Sequence, residues 1–314
     1  MRELLFLMRL KKLNYKELFA NSAIIGKILF YKFPSMLSYQ HGYHAGNFAD
    51  VVKHISLTRL LGYLTLKDKP LFYLETHSGQ GQYDLKNKQA EKTGEYKQGI
   101  KLIWNDRKTL PPVFKDYIQA ISKLNGSEGL RLYPGSPYLA INALRMQDRA
   151  YFCELHPAEF AALDQMPHFN KKVHLSNTDG IAALNALLPP PEKRGLIFID
   201  PSFEIKDEYK QIPAAIKRVF SRFSTGVYCL WYPVVNRKLT DQLIRGMKDI
   251  GAKNALRVEF NLTLAPRDGM SGCGLWIINP PFTFAAEIKT VLDTLRTYFN
   301  PGISSYIVET HSGA

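Results

Sequence analysis

Asp200-Pro201-Ser202-Phe203 sets a carboxylate, a peptide carbonyl and an aromatic ring within four positions. Directly before it, Gly195-Leu-Ile-Phe-Ile199 is an unbroken apolar run, the pattern of a parallel strand buried on both faces. Ligands of open α/β sheets bind beyond the carboxyl ends of such strands. A flat base stacked on Phe203, its amino N–H groups aimed at Asp200 and the Pro201 carbonyl, is held as methylation of an exocyclic amine requires. The same residues also fit an ordinary Asp-Pro turn, so the reading depends on what surrounds them.

Other strand ends carry functional groups too. Residues 71–75 read as a strand running into Glu75-Thr-His77-Ser-Gly79-Gln-Gly81, where glycines let the backbone turn sharply beside a ligand. Glu154 closes a second strand, within 150–157, where a carboxylate can bond both hydroxyls of a ribose. Asp179-Gly180 closes a third, within 173–180, where an acceptor can meet an adenine amino group. Each acid alone fits a helix N-cap or an Asx turn. Three such ends in chain order favour a nucleoside-containing cofactor. A nicotinamide dinucleotide fits less well: the position three after Gly81 is Asp84, so no full G-x-G-x-x-G/A is present.

The elements that must position these residues alternate. An apolar pattern over 44–67 predicts a helix packed on a sheet, and shorter helices are expected over 139–147, 208–222 and 237–250. Further strands are expected over 227–234, 255–262 and 274–282. The polar, mostly helical stretch 84–130 reads as an insertion outside the sheet. Strands alternating with helices predict a doubly wound, mainly parallel sheet. The last two predicted strands share only a short Gly/Pro-rich link and should pair antiparallel. The expected fold class is therefore α/β, with the Rossmann-like seven-stranded sheet of the class I S-adenosylmethionine-dependent methyltransferases and a small helical insertion. Layout alone does not establish chemistry.

The chain has 314 residues, 46% of them hydrophobic, enough for a large α/β core. Lys and Arg number 41 against 28 Asp and Glu, a net charge of +13 that attracts polyanions such as RNA or DNA. Cys153, Cys229 and Cys273 lie far apart without metal-ligand spacing, which suits a reducing cytoplasm. Residues 1–35 are apolar and basic, but charges interrupt every apolar run, so no spanning helix is expected there.

Several segments together resemble the ribosomal RNA large subunit methyltransferase J family. They are Met36-Leu-Ser-Tyr39-Gln-His41-Gly-Tyr-His44-Ala-Gly46-Asn47-Phe-Ala-Asp50-Val-Val-Lys53-His54, Glu75-Thr-His77, Thr93-Gly-Glu-Tyr96, Tyr133-Pro-Gly-Ser136-Pro, Glu154-Leu-His-Pro and Trp231-Tyr-Pro-Val234. The resemblance covers residues 36–314. It implies methylation of N6 of an adenine in 23S ribosomal RNA. It also implies S-adenosylmethionine contacts at His54, His77, Ser136, Glu154, Asp179, Gly180 and Asp200, with Lys53 near the cofactor's carboxylate and Tyr39 at the RNA. Asp200 is the expected general base, with Pro201 and Phe203 against the target adenine. Family members begin at the equivalent of Met36, which implies that residues 1–35 lie upstream of the true start and that 36–314 form the methyltransferase domain. The expected partner is 23S RNA, protein-free or early in assembly. A cytoplasmic monomer with no membrane and no metal is expected.

Two departures stand out. The family's D-P-P-Y is Asp-Pro-Ser-Phe here, and its usual Asp at the end of the first strand is Glu75. Ser202 loses proline's fixed φ and gains an N–H. Neither change removes the carboxylate or the Pro201 carbonyl. Asn279-Pro280-Pro281-Phe282 spells the amino-methyltransferase signature better, but it follows the last predicted strand, away from the expected cleft. His41, His44, His54 and Asp50 form a weak candidate for a metal set, with no cysteine to join them. Two rival functions remain: an RNA-binding assembly factor on the same fold without turnover, and a DNA adenine-N6 methyltransferase.

Overall fold

The computed structural model describes residues 40–313 apart from 127–128, 168–169, 264 and 266–268. The expectations for residues 1–35 and for Tyr39 lie outside the described residues.

Among the described residues ten strands follow in chain order: β1 (Phe72–Glu75), β2 (Gln82–Asp84), β3 (Leu132–Pro134), β4 (Arg149–Cys153), β5 (Val173–Ser176), β6 (Gly195–Ile199), β7 (Val227–Val234), β8 (Ala255–Asn261), β9 (Gly272–Ile278) and β10 (Ser305–His311). Eight form one sheet in the order β10-β8-β9-β7-β6-β1-β4-β5, and β2 and β3 form a separate antiparallel ribbon. Strands β5, β4, β1, β6 and β7 run parallel, whereas β9 runs antiparallel to both of its neighbours, β7 and β8.

The helices are α1 (Phe48–Thr65), α2 (Lys88–Thr93), α3 (Ile100–Asn105), α4 (Lys115–Asn125), α5 (Ser136–Ala143), α6 (Pro157–Asp164), α7 (Gly180–Leu187), α8 (Glu208–Phe220), α9 (Arg237–Lys248) and α10 (Phe284–Leu295). They cover both sheet faces. Successive strand side chains point to opposite faces. In β6, Leu196 and Phe198 join a core with residues of α1 and α10, while Ile197 and Ile199 join a second core with residues of α7, α8 and α9. That is why β6 is apolar throughout and reads clearly as a central strand. Helix α1 is buried nearly all round, and Asn47 starts it by accepting the Asp50 N–H at 2.9 Å. Helices α2, α3 and α4 lie between β2 and β3 in the chain, outside the main sheet.

Three details depart from the sequence expectations. The sheet has an eighth strand: β10 pairs antiparallel with β8. As a half-exposed edge strand carrying Glu309 and Thr310 it lacks the apolar run that marks the interior strands. The helix expected over 139–147 starts three residues earlier, because Pro137 suits the first turn of a helix. The β2–β3 ribbon is too short to show a period of its own. Among the described residues, no helix is long and apolar enough to cross a membrane.

Candidate functional site

Parallel strands end on one edge of a sheet. Here that edge gathers Glu75 at the end of β1, Glu154 just past β4, Asp179 past β5 and Asp200 just past β6. Helix α1 brings a cation to them. Lys53 Nζ donates to Asp200 Oδ2 at 2.7 Å and lies 2.9 Å from Asp50 Oδ1. Its side chain is 4% exposed and that of Asp200 is 12% exposed. The Trp231 ring lies beside the ammonium, 5.5 Å from Nζ to centroid. Asp50 Oδ2 accepts the Gly46 N–H at 2.9 Å and lies 2.9 Å from His41 Nε2. Burial opposes a charge on Asp50, yet His41 and Lys53 beside it hold its carboxyl well below the usual range.

The glycine turn after β1 is tied to the neighbouring strand ends. Glu154 Oε2 accepts the Gly79 N–H at 2.8 Å, and Oε1 accepts the His156 N–H at 2.7 Å. Burial raises the Glu154 carboxyl and lowers the His77 imidazole. His77 Nδ1 lies 2.7 Å from Thr76 Oγ1. Asp179 caps α7, its Oδ1 accepting the N–H of Ile181 at 2.8 Å and of Ala182 at 3.3 Å. Gly180 opens that helix flush against the Thr76 backbone, where an added Cβ would run into the Thr76 carbonyl.

Behind this rim lies a neutral, buried layer. Glu75 is fully buried and accepts from the Ser136 hydroxyl and, at 2.8 Å, from Tyr73. Burial pushes its carboxyl up to about 8, against the two hydroxyl donors. His54 is 1% exposed, and its Nδ1 lies 2.9 Å from the Tyr133 hydroxyl, which is 3.0 Å from that of Tyr117. Burial pushes the imidazole down to about 3, so it is neutral. The family resemblance places His54 and Ser136 against a cofactor; here the polar atoms just named are turned to protein partners. His77, Glu154, Asp179, Gly180 and Asp200 remain grouped on the rim. Lys53 stands beside Asp200 on the same rim.

Pro201 is buried. Phe203 adopts a φ of +54°, a conformation disfavoured for a bulky residue. Its ring packs on Tyr209 of α8, centroids 4.6 Å apart, and the residue is 7% exposed. Little of the ring is left for a base to stack on, which differs from the expected platform. Asn279-Pro-Pro-Phe282 lies at the opposite edge, because Ile278 pairs with Tyr228 near the start of β7. Sequence reasoning missed Asp50 as a partner of Lys53 and Trp231 as its neighbour. The three-residue spacing of Asp50 and Lys53 on a helix was the available signal. Among the described residues no group of His, Cys, Asp and Glu is arranged to hold a metal. His44 is occupied instead by Glu95, at 2.9 Å.

The strand order, with an antiparallel β9 inserted beside β7, and the acidic rim on the parallel edge define a class I S-adenosylmethionine-dependent methyltransferase. A family model described as ribosomal RNA large subunit methyltransferase D, RlmJ, matches residues 68–310. The chain is 44% identical over 279 residues to ribosomal RNA large subunit methyltransferase J of Haemophilus influenzae, covering 87% of this chain and 98% of that protein. It is 40% identical over 267 residues to the protein of the same name from Escherichia coli, covering 85% and 95%. A crystal structure of a Legionella pneumophila protein, 63% identical, superposes with a TM-score of 0.82 over 86% of this chain and 99% of that one. The chain belongs to the RlmJ family of ribosomal RNA large subunit methyltransferases.

Proposed function

We propose that this protein methylates the N6 amine of an adenine in 23S ribosomal RNA, using S-adenosylmethionine. The observation that carries the reading is Asp200: a carboxylate at the end of a central strand, ion-paired to Lys53, on the same edge as Glu154 and the glycine turn.

The rim suits the cofactor. Both Glu154 oxygens are oriented by one backbone N–H each, which leaves each able to accept a ribose hydroxyl. Ser78 Oγ in the glycine turn is buried without a hydrogen-bond partner among the described residues, and so offers an unused donor and acceptor. Asp179 makes no hydrogen bond through Oδ2 among the described residues, and so offers an acceptor to an adenine amine. Gly79–Gly81, His77 and Gly180 line the approach. When bound, S-adenosylmethionine supplies a sulfonium-activated methyl group and leaves as a neutral thioether.

The chain's own work is to present the nucleophile. An adenine amine is a poor one, because its lone pair is delocalised into the ring. Hydrogen bonds from its two N–H groups to Asp200 and to the Pro201 carbonyl favour a tetrahedral nitrogen whose lone pair is free to attack. Asp200 then accepts the proton that the methylated nitrogen loses. Fixing both partners in line supplies up to about 7–11 kcal/mol of the barrier reduction. Lys53 fixes the rotamer of Asp200 by binding Oδ2, and no hydrogen bond occupies Oδ1 among the described residues. The target base enters unstacked. We further propose that the protein works in the cytoplasm as a monomer on protein-free or early-assembly RNA.

Transfer of labelled methyl to 23S RNA fragments by the wild type and Asp200→Ala tests this reading. The variant should be inactive; a wild-type rate would refute the assigned base. Mass spectrometry of 23S RNA from a deletion strain should show one lost methyl-adenine. Transfer to DNA in preference to RNA, or RNA binding with no transfer on any RNA tested, would replace this function by one of its two rivals.

A further inference from the structure

We propose that Asp50 is a positioning residue for methyl transfer: by sharing Lys53 with Asp200, it leaves Asp200 able to accept the proton of the substrate amine. The inference rests on the function proposed above.

Lys53 Nζ lies 2.7 Å from Asp200 Oδ2 and 2.9 Å from Asp50 Oδ1. An ammonium held by Asp200 alone would draw the whole negative charge of that carboxylate toward itself, making it a weaker proton acceptor. A second carboxylate on the same ammonium offsets this. The two carboxylates lie within about 6 Å of each other, close enough for their repulsion to matter in a partly desolvated site. Buried Glu75 adds no third negative charge, because it keeps its proton up to about pH 8. His54, the residue next to Lys53, is held neutral by burial.

Asp50 also accepts the Gly46 N–H just ahead of α1, which suggests a purely structural role. That role needs an acceptor, not a charge. An Asn or Ser would fill it without burying an ion, and burying a carboxylate is expensive unless it is paired. Asp50 is 2% exposed and contacts both Lys53 and His41, so its charge is part of the design of the site rather than incidental to the helix.

The test is steady-state kinetics of Asp50→Asn, which keeps an acceptor for Gly46 but removes the charge. We expect kcat to fall about tenfold, with KM for S-adenosylmethionine and for RNA within about twofold of wild type. The conservative variant Asp50→Glu, which keeps a carboxylate beside Lys53, should recover several-fold over Asp50→Asn. Where Asp50→Asn folds poorly, Asp50→Glu keeps the test open, since it retains a carboxylate for Lys53. A wild-type kcat in Asp50→Asn, a change confined to KM, or an Asp50→Glu protein no more active than Asp50→Asn would overturn the inference. Those results with Asp200→Ala still inactive would leave the proposed function standing; an inactive wild type would overturn the function itself.

Discussion

Glu75→Gln should flatten the pH dependence of stability. The carboxyl is fully buried among Tyr73, Ser136 and the end of β1, and burial pushes its pKa from 4.5 up to about 8. Below about pH 4.5 both folded and unfolded chains hold this proton. Between there and about pH 8 the folded chain keeps it and the unfolded chain does not. The folded state binds more protons across that window, so stability falls as pH rises and levels off above about 8. The full gap corresponds to a ceiling of about 5 kcal/mol. Relaxation and water entry around an ionised Glu75 should roughly halve it, to about 2–3 kcal/mol. Gln matches the neutral acid in shape: its carbonyl accepts from Tyr73 and its amide donates to Ser136. Urea unfolding of both proteins at intervals from about pH 4 to 8.5 measures the difference. The wild type should lose about 2–3 kcal/mol relative to the variant across that range. A constant difference at every pH would show that Glu75 is ionised in the folded protein. The charge balance around Lys53 would then include a third carboxylate, and the case for Asp50 as the counterweight to Asp200 would fall with it.

Other perturbations separate the parts of the site. Asp200→Asn, which keeps the shape and removes the charge, should lower kcat by about 100-fold or more, read from single-turnover methyl transfer. Gly180→Ala forces α7 away from the Thr76 backbone; it should cost about 1–3 kcal/mol in urea unfolding and raise KM for S-adenosylmethionine while leaving KM for RNA unchanged. Phe203→Ala should cost about 3 kcal/mol, because the ring belongs to the second core; normal stability with a raised KM for RNA would make it the base platform instead.

How much was legible in the sequence varied with how strongly each feature is buried. Strands β6 and β7 carry long apolar runs because both faces are covered, and their predicted bounds match those observed. Strand β10 has no such run, and nothing local marks a half-exposed edge strand. Asp200, Glu154 and Asp179 were readable because each follows an apolar strand and chain direction puts all three on one edge. Their partners were not. Lys53 lies 147 positions from Asp200, and only the packing of α1 against the sheet brings them together. Glu95 shows the same limit in a milder form. It bonds His44 at 2.9 Å and the Asn47 amide at 2.9 Å, so two motifs far apart in the chain are halves of one contact. Phe203 reads as a stacking ring in the sequence because a stacking ring and a core ring have the same spelling. Only its φ of +54° and its packing on Tyr209 distinguish them.

The two proline-containing tetrapeptides show why direction outweighs spelling. Asn279-Pro-Pro-Phe282 is the better match to the signature, and it also begins with a left-handed residue, Asn279 at φ +54°. But β9 runs antiparallel, so its carboxyl end meets the amino ends of the parallel strands. There Asn279 has a different task. Its side-chain amide donates to the Ser224 and Gly226 carbonyls at 2.8 Å, and its backbone N–H donates to the Asn254 carbonyl at 2.9 Å, so it fastens the loops that lead into β7 and β8. Phe282 is left 94% exposed. Asp-Pro-Ser-Phe, the poorer match, follows a parallel strand and so meets Lys53, Glu75 and the glycine turn. An amine can be bound and deprotonated only where a carboxylate, its counter-cation and the cofactor turn converge. In this sheet the parallel edge brings a carboxylate, its counter-cation and the glycine turn together.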